Sequence, residues 1–146
     1  MRKLIILAAL ALAPVASHQV KASPYAWYDR SELRCLADNI YYETRNQDFY
    51  GQALVAKVTL NRSQKMNESI CKTVYKPSQF SWTLKKQKPV NRTGPEYKTA
   101  IHAAHHAQLM SDPIYYFHTP QVKPFWAKVK PKAFHYGNHV FYYELA

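Results

Sequence analysis

One carboxylate, Glu43, stands where its chemistry would differ from that of an ordinary surface residue. Apolar residues recur at helical spacing over residues 33–45, and Glu43 lies about 20° round that helix from Leu36, two turns earlier. Burial raises the pKa of a carboxyl group, and a general acid near neutral pH needs such a raised pKa. The position therefore predicts a general acid. The alternative is a carboxylate at the margin of the stripe, which pairs with a basic residue: Arg45, Lys57 or Arg62.

Three histidines and two cysteines are other possible sources of chemistry. His102, His105 and His106 have a helical spacing that could hold a metal, but the chain has no HExxH motif and no acidic partner along that face. We interpret them as an exposed polar face and predict no metal and no cofactor. A thiol of Cys35 or Cys71 beside a histidine would instead suit an amidase or a peptidase.

The two cysteines also bear on the compartment in which the protein works. In an oxidising compartment, we predict a disulfide between Cys35 in the first helix and Cys71 in a later loop, which would leave no thiol nucleophile. Two buried thiols remain the alternative, because a disulfide also needs compatible geometry.

Three main helices are predicted to position these side chains. The first begins after Asp29, which would act as N-cap with Glu32 as its capping-box partner, and ends near residue 45. The second spans residues 49–65 and is apolar round much of its circumference, so we expect it to be buried. The third begins after Thr93 as its cap. We predict that the intervening residues 66–92 are loop and surface segment without regular structure.

A small antiparallel sheet is predicted to follow the helices. Short aromatic and β-branched runs occur at residues 114–118, 125–129 and 139–143, separated by Pro and Gly. Helices first and strands second predict an α+β fold.

The N-terminal segment and the net charge indicate the class of protein to which the chain belongs. Residues 1–22 combine basic residues, an apolar run shorter than the roughly 20 residues needed to span a bilayer, and small residues, which predicts a cleaved signal peptide; an uncleaved anchor is the alternative. Residues 23–146 then form a single domain. The net charge of +11 favours polyanionic partners, and export argues against nucleic acid among them.

Six blocks of sequence carry a resemblance to a known family. They read LADNIYYETRN (36–46), GQALVAKVTLNR (51–62), ICKTVYKPSQFSW (70–82), YYFHT (115–119), PFWAK (124–128) and GNHVFY (137–142). In this order and spacing they resemble the SleB/CwlJ family of cell-wall hydrolases. The catalytic domain of that family is similar to lysozyme-like lytic transglycosylases and resuscitation-promoting factors.

The resemblance implies that Glu43 is the catalytic acid. The usual Glu-Ala-Arg or Glu-Ala-Ser reads Glu43-Thr44-Arg45 here, and the acidic residue that many relatives carry soon after Phe-Ser-Trp is replaced by the uncharged and basic residues 83–86. Hydrolysing glycosidases generally need two carboxylates. We therefore expect a lytic transglycosylase with a single Glu acid/base, which cleaves the bond between N-acetylmuramic acid (MurNAc) and N-acetylglucosamine (GlcNAc).

Polar and aromatic residues inside the matching blocks are the predicted substrate contacts. They are Tyr42, Gln52, Asn61, Gln79, Phe80, Ser81, Trp82, His118, Trp126 and His139. The alternative for each aromatic residue is core packing, and Asn61 with Arg62 could simply end the second helix.

The implied partner is the glycan strand of peptidoglycan, bound by a monomer in the periplasm or outside the cell, with membrane contact only through the signal segment. Remodelling, germination and lysis by a phage endolysin all fit such an enzyme. The alternatives are an amidase or peptidase that acts on the stem peptide, and a non-catalytic cationic protein that binds the wall or acts as an antimicrobial.

Overall fold

The computed structural model describes residues 29–145, in which helices precede a small sheet. The helices are α1 (Arg30–Thr44), α2 (Phe49–Met66), α3 (Ile70–Tyr75) and α4 (Pro95–Ala107). The strands are β1 (Ile114–His118), β2 (Lys132–Tyr136) and β3 (His139–Tyr143). The predicted α+β class is confirmed. The predicted signal peptide, residues 1–22, lies outside the described residues. No helix within residues 29–145 has the length and apolar character that a membrane crossing requires.

Helix α2 forms the centre of the core. It is buried from Gly51 to Asn61 and packs against α1, α4 and β1. This helix and its neighbours form an apolar core whose side chains have almost no exposure: Leu36, Ile40, Leu54, Leu60, Ile70, Ile114 and Phe141. The prediction of a largely buried second helix is confirmed, and the end of α1 that carries Glu43 is held against this core.

The start of α1 is capped as predicted, but not through a capping box. The Asp29 carboxylate accepts hydrogen bonds from the main-chain N–H groups of Ser31 and Glu32, at 2.7 and 3.0 Å. The Glu32 carboxylate does not bond back to Asp29. It accepts instead from the N–H groups of Ile70 and Cys71. The first turn of α3 leaves those donors without helical partners, so Glu32 joins two helices.

Helix α3 corrects the prediction that residues 66–92 lack regular structure. Ser69 caps it by accepting from the N–H of Lys72, and its apolar residues Ile70 and Val74 are fully buried. Six residues are too few to show a helical period. A 3₁₀ turn at Ser81–Leu84 adds a second ordered element in the same stretch.

Cys35 and Cys71 form a disulfide with a Cα–Cα distance of 5.1 Å, which confirms the predicted pairing. The partner of α1 is therefore the short helix α3 and not a loop. Helix α4 also begins one residue later than predicted. Gly94 is its N-cap and Pro95 its first residue, while the Thr93 hydroxyl donates to Asn91 Oδ1.

The sheet has the order β1-β3-β2, with both pairings antiparallel. The predicted strand at residues 125–129 is wrong, because Phe125–Lys128 is a 3₁₀ turn in which Phe125 is 79% exposed. Strand β2 lies just after it and packs Phe134 on Phe141 of β3. Gly137, with φ of +52°, makes the tight turn between β2 and β3.

Two consecutive residues of α2 attach the sheet to the helices. Asn61 Nδ2 donates to the carbonyl oxygens of Asp112 and Ile114, both at 2.8 Å. Arg62 Nε donates to the carbonyl oxygen of Tyr115 at 2.7 Å. These bonds fix β1 beside α2, and with it the space between the sheet and the end of α1.

Candidate active site

Glu43 lies on the last turn of α1 and faces a cavity of about 400 Å³ between the helices and the sheet. Within residues 29–145, its carboxyl group has no hydrogen bond and no ion pair. The predicted alternative, an ion pair with a nearby basic residue, is therefore wrong. Arg45 lies over the Tyr41 ring instead, and Arg62 donates to main-chain oxygens.

The electrostatics of Glu43 suit a proton donor. Burial raises the pKa of the Glu43 carboxyl from 4.5 to about 7, and the nearby positive charge of Arg62 acts in the opposite direction. A group with this pKa is substantially protonated at neutral pH and can also lose its proton there. Both properties are needed by a residue that acts first as acid and then as base.

Arg62 is a component of the site that the sequence analysis did not assign. Its guanidinium contacts the rings of Phe80 and Tyr116, at 5.4 and 5.5 Å from the ring centres. Nη1 donates to the carbonyl oxygen of Gln79 at 3.4 Å. Burial lowers the pKa of Arg62 to about 10, so the group remains a cation at neutral pH. The available signal was a charged residue inside a helix predicted to be buried.

Most of the predicted substrate contacts converge on the cavity beside Glu43. Those that line it are Gln79, Phe80, Ser81, His118, Trp126 and His139. The segment after α3, the strands β1 and β3, and the 3₁₀ turn at Phe125–Lys128 supply them. Their placement brings amide, hydroxyl and aromatic groups together, while their roles in binding remain predictions.

Two of the predicted contacts, Tyr42 and Trp82, lie outside this cavity and pack on each other. Their rings stack with centres 4.4 Å apart. The Tyr42 hydroxyl donates to the carbonyl oxygen of Lys88 at 2.8 Å, and Trp82 Nε1 donates to Oδ1 of the fully buried Asn39 at 2.7 Å. Their polar groups therefore serve the fold, as the core-packing alternative proposed.

Gln52 and Asn61 are also absent from the residues that line the cavity. Gln52 is 2% exposed and donates from Nε2 to the carbonyl oxygen of Gln47 at 3.0 Å. Asn61 joins α2 to the sheet, as described above. Both amides hold main-chain segments in position in the structure, and their contact with substrate stays a prediction.

The two histidines of the cavity differ in what their ring nitrogens contact. His118 Nδ1 lies 2.8 Å from the carbonyl oxygen of Thr119, and Nε2 lies 2.9 Å from the Tyr142 hydroxyl. Because a carbonyl only accepts, Nδ1 carries the proton. His139 is 4% exposed, and burial lowers its pKa to about 4, so it is neutral at pH 7. Its Nδ1 has no hydrogen-bond partner within residues 29–145.

A second cavity of about 430 Å³ lies beside the first. The two are adjacent, and together we call them the groove; the residues that line both are Arg62, Ser78, Gln79, Phe117 and Trp126. The second cavity adds basic, acidic and aromatic side chains: Lys65, Tyr115, Tyr116 and Glu144. The sequence analysis predicted Gln79 and Trp126, which line this cavity as well, but it did not assign Lys65, Tyr115 or Glu144 to the site.

The histidines of α4 lie on another part of the molecule. His102 and His106 are exposed, and the His106 ring contacts Phe49 with ring centres 5.3 Å apart. Across the described part of the chain, no group of three or more His, Cys, Asp or Glu side chains is arranged to hold a metal ion.

Comparison with curated proteins finds relatives that act on spore cortex. Spore cortex-lytic enzymes of Bacillus cereus and Bacillus subtilis are each 23% identical to this chain, over 116 and 124 residues. The matches cover 78% and 84% of this chain but 45% and 41% of those proteins. The chain thus spans less than half the length of these relatives.

Comparison with solved structures supports the same fold. The catalytic domain of the Bacillus cereus SleB protein is 24% identical, with a TM-score of 0.64, over 79% of this chain and 91% of that one. The catalytic domain of the germination-specific lytic transglycosylase SleB from Bacillus anthracis is 23% identical, with a TM-score of 0.61, over 80% and 98%.

The cell wall hydrolase family model matches residues 46–142, a range that begins just after Glu43 and includes every other residue of the groove except Glu144. This range is well over half of the 146 residues. The chain therefore belongs to the cell wall hydrolase family.

Proposed function

We propose that the protein is an exported lytic transglycosylase that cleaves the MurNAc–GlcNAc bond of peptidoglycan, with Glu43 as its single acid/base. The observation that carries this proposal is the unpaired Glu43 carboxyl, whose pKa burial raises to about 7, at the wall of an open groove. Among the described residues that line its cavity, no other is a carboxylate.

In the first step, protonated Glu43 donates its proton to the glycosidic oxygen, and the bond between that oxygen and C1 of MurNAc breaks. The Glu43 carboxylate then takes the proton of the C6 hydroxyl of the same sugar. The C6 oxygen bonds to C1 and gives a 1,6-anhydro product. One carboxyl group therefore both supplies and recovers the proton, and no water enters the products.

Hydrolysis would instead call for a second carboxylate that activates water. Glu144, in the neighbouring cavity, is not suited to that role. Its carboxylate binds Lys65, Lys130 and the Tyr116 hydroxyl, and the hydrogen bonds from these groups lower its pKa to about 2, although partial burial opposes that shift. A base held by several donors has little capacity to accept a proton from water.

The rest of the groove suits a sugar chain. Trp126 offers an aromatic face, and Gln79 and Ser81 offer amide and hydroxyl groups, beside the general acid. The Bacillus anthracis relative is a germination-specific lytic transglycosylase, which supports the reaction class. The disulfide supports an oxidising compartment, in line with residues 1–22 as a signal peptide and residues 23–146 as the catalytic domain.

The test is to digest purified peptidoglycan with the wild type and with Glu43→Gln, and to identify the fragments by mass spectrometry. We expect 1,6-anhydromuropeptides from the wild type and a rate lower by roughly 10²–10⁴-fold in the variant. Glu96→Gln, an exposed glutamate at the start of α4, is the matched control and should retain the wild-type rate.

Other fragments would point to other functions. Reducing-end muropeptides would indicate a muramidase, and free stem peptides an amidase. The absence of any new ends would indicate a protein that binds the wall through its net charge of +11. Wild-type cleavage by a folded Glu43→Gln variant would overturn the assignment of Glu43.

A further inference from the structure

We propose that the groove also recognises the carboxylate of the lactyl or peptide substituent of MurNAc, and that Arg62 is the group that binds it. This inference rests on the proposed function, since it concerns the same groove and the same polymer. It assigns to Arg62 the task of setting which sugar of the alternating strand lies beside Glu43.

Arg62 has donors that the fold does not use. A guanidinium carries five N–H groups in a planar fork that matches a carboxylate. Within residues 29–145, Arg62 makes two hydrogen bonds, from Nε to Tyr115 and from Nη1 to Gln79, and both acceptors are main-chain carbonyls. No carboxylate of the described chain forms an ion pair with it. Arg62 is half-buried, and the charges of Glu43 and Glu144 act on it without a direct ion pair, so its remaining N–H groups are available to an anion of the substrate.

The surroundings of Arg62 favour an anion. Lys65 lies on the wall of the second cavity, and Lys130 contacts the carboxylate of Glu144 that forms part of the same wall. Glu144 is the one described carboxylate in that wall, and its charge is shared by both lysines and by the Tyr116 hydroxyl at 2.6 Å. Two cations, Arg62 and Lys65, line this cavity with one carboxylate, and that carboxylate is also bound by Lys130, so positive charge exceeds negative charge in this half of the groove.

The chemistry of the polymer identifies the anion. The MurNAc residue whose C1 bond would break at Glu43 also carries a lactyl group on its C3 oxygen. In a peptide-free strand this group ends in a free carboxylate, and in a peptide-bearing strand it leads to a stem peptide with carboxylates of its own. GlcNAc carries neither. Because Glu43 and Arg62 line the same cavity, MurNAc beside the acid brings its substituent toward the guanidinium. GlcNAc in that place would leave the cation unpaired.

The test measures binding in the Glu43→Gln background, where cleavage is expected to be slower by roughly 10²–10⁴-fold. Peptide-free and peptide-bearing soluble glycan strands are each titrated before and after their carboxylates are capped as methylamides. We expect capping to weaken binding roughly tenfold when Arg62 is present, as for a charged hydrogen bond, and to have a small effect in Arg62→Gln. The strand type that shows the larger effect identifies the lactyl or the peptide carboxylate as the ligand.

Lys85→Gln, which removes the same charge from an exposed residue outside both cavities, is the control for the general attraction of a basic protein to acidic strands. It should keep the tenfold preference. If Arg62→Gln does not fold, two other variants replace it in the test. Arg62→Lys keeps the charge without the planar fork, and Lys65→Gln changes only the wall of the second cavity. Both should reduce the preference for native over capped strands. If the protein that retains Arg62 binds native and capped strands equally, this inference alone is overturned. If that protein binds neither kind of strand, the proposed function is overturned.

Discussion

Arg62 and Glu43 line one cavity, yet the guanidinium donates to the carbonyl oxygens of Tyr115 and Gln79 and not to the carboxylate. The positive charge therefore acts on Glu43 without a direct ion pair. Burial raises the pKa of Glu43, the charge of Arg62 restrains that rise, and the result is a pKa of about 7. A direct ion pair would have kept the carboxyl ionised and unable to donate a proton.

The first prediction concerns the pH dependence of cleavage. Because protonated Glu43 is the reactive form, kcat/KM should fall as pH rises through about 7. Arg62→Gln should move this falling limb to higher pH, since the charge that lowers the pKa of Glu43 is removed. The measurement is the initial rate of fragment release from pH 5 to pH 9, at substrate well below KM. A limb near the ordinary glutamate pKa would contradict the prediction.

The second prediction concerns stability. An unfolded Glu43 loses its proton near pH 4.5, whereas the folded protein keeps it up to about pH 7. Between these values the folded state binds more protons, so the free energy of unfolding falls as pH rises. Relative to the wild type, Glu43→Gln should thus gain up to about 3 kcal/mol above pH 7, and none from this source below pH 4.5. Urea unfolding at pH 4 and pH 8 measures it; a pH-independent difference would refute it.

The third prediction separates two tryptophans by their surroundings. Trp82→Phe leaves Oδ1 of the buried Asn39 without its donor, which should cost about 1–3 kcal/mol of unfolding free energy while KM stays near the wild-type value. Trp126→Phe reduces the aromatic wall shared by both cavities and should raise KM roughly threefold. Denaturant unfolding and Michaelis curves on the same two variants check both. A raised KM for Trp82→Phe would restore it as a substrate contact.

The fourth prediction concerns the disulfide. Its two cysteines are 36 residues apart, so a chain-entropy estimate gives about 4 kcal/mol of stabilisation. The double variant Cys35→Ser/Cys71→Ser should lose about 2–4 kcal/mol of unfolding free energy. Reducing agent should lower the stability of the wild type to a similar value and leave the double variant unchanged. Unequal losses would show that the serines, and not the missing bond, are responsible.

Much of the helical part of the fold could be predicted, because α1 and α2 have long apolar patterns and the two cysteines have few partners to choose from. The short elements could not be predicted. Helix α3 has too few residues for a period, and its buried Ile70 and Val74 resemble any apolar pair. The aromatic run at residues 125–129 was taken for a strand, although its exposed Phe125 contributes little to the core. Composition alone does not separate a strand from an aromatic turn.

The site, too, could be predicted only in part. The position of Glu43 followed from its place on an amphipathic helix. Tyr42, its neighbour, was assigned to the site as well, but a helix turns successive side chains by about 100°, and Tyr42 packs on Trp82 instead. His118 and His139 reach the cavity only through the pairing of β1 with β3. Such contacts depend on how the sheet docks on the helices, which one sequence without its fold does not reveal.

The middle strand of the sheet, β3, follows both of its neighbours along the chain, although it lies between them in the sheet order β1-β3-β2. It carries His139 into the cavity and the fully buried Phe141 into the core. Until those residues have been made, β1 and β2 have no shared neighbour to pair with, and the wall opposite Glu43 is missing. A chain truncated before β3 would therefore contain Glu43 but lack both His139 and the wall that faces the carboxyl group.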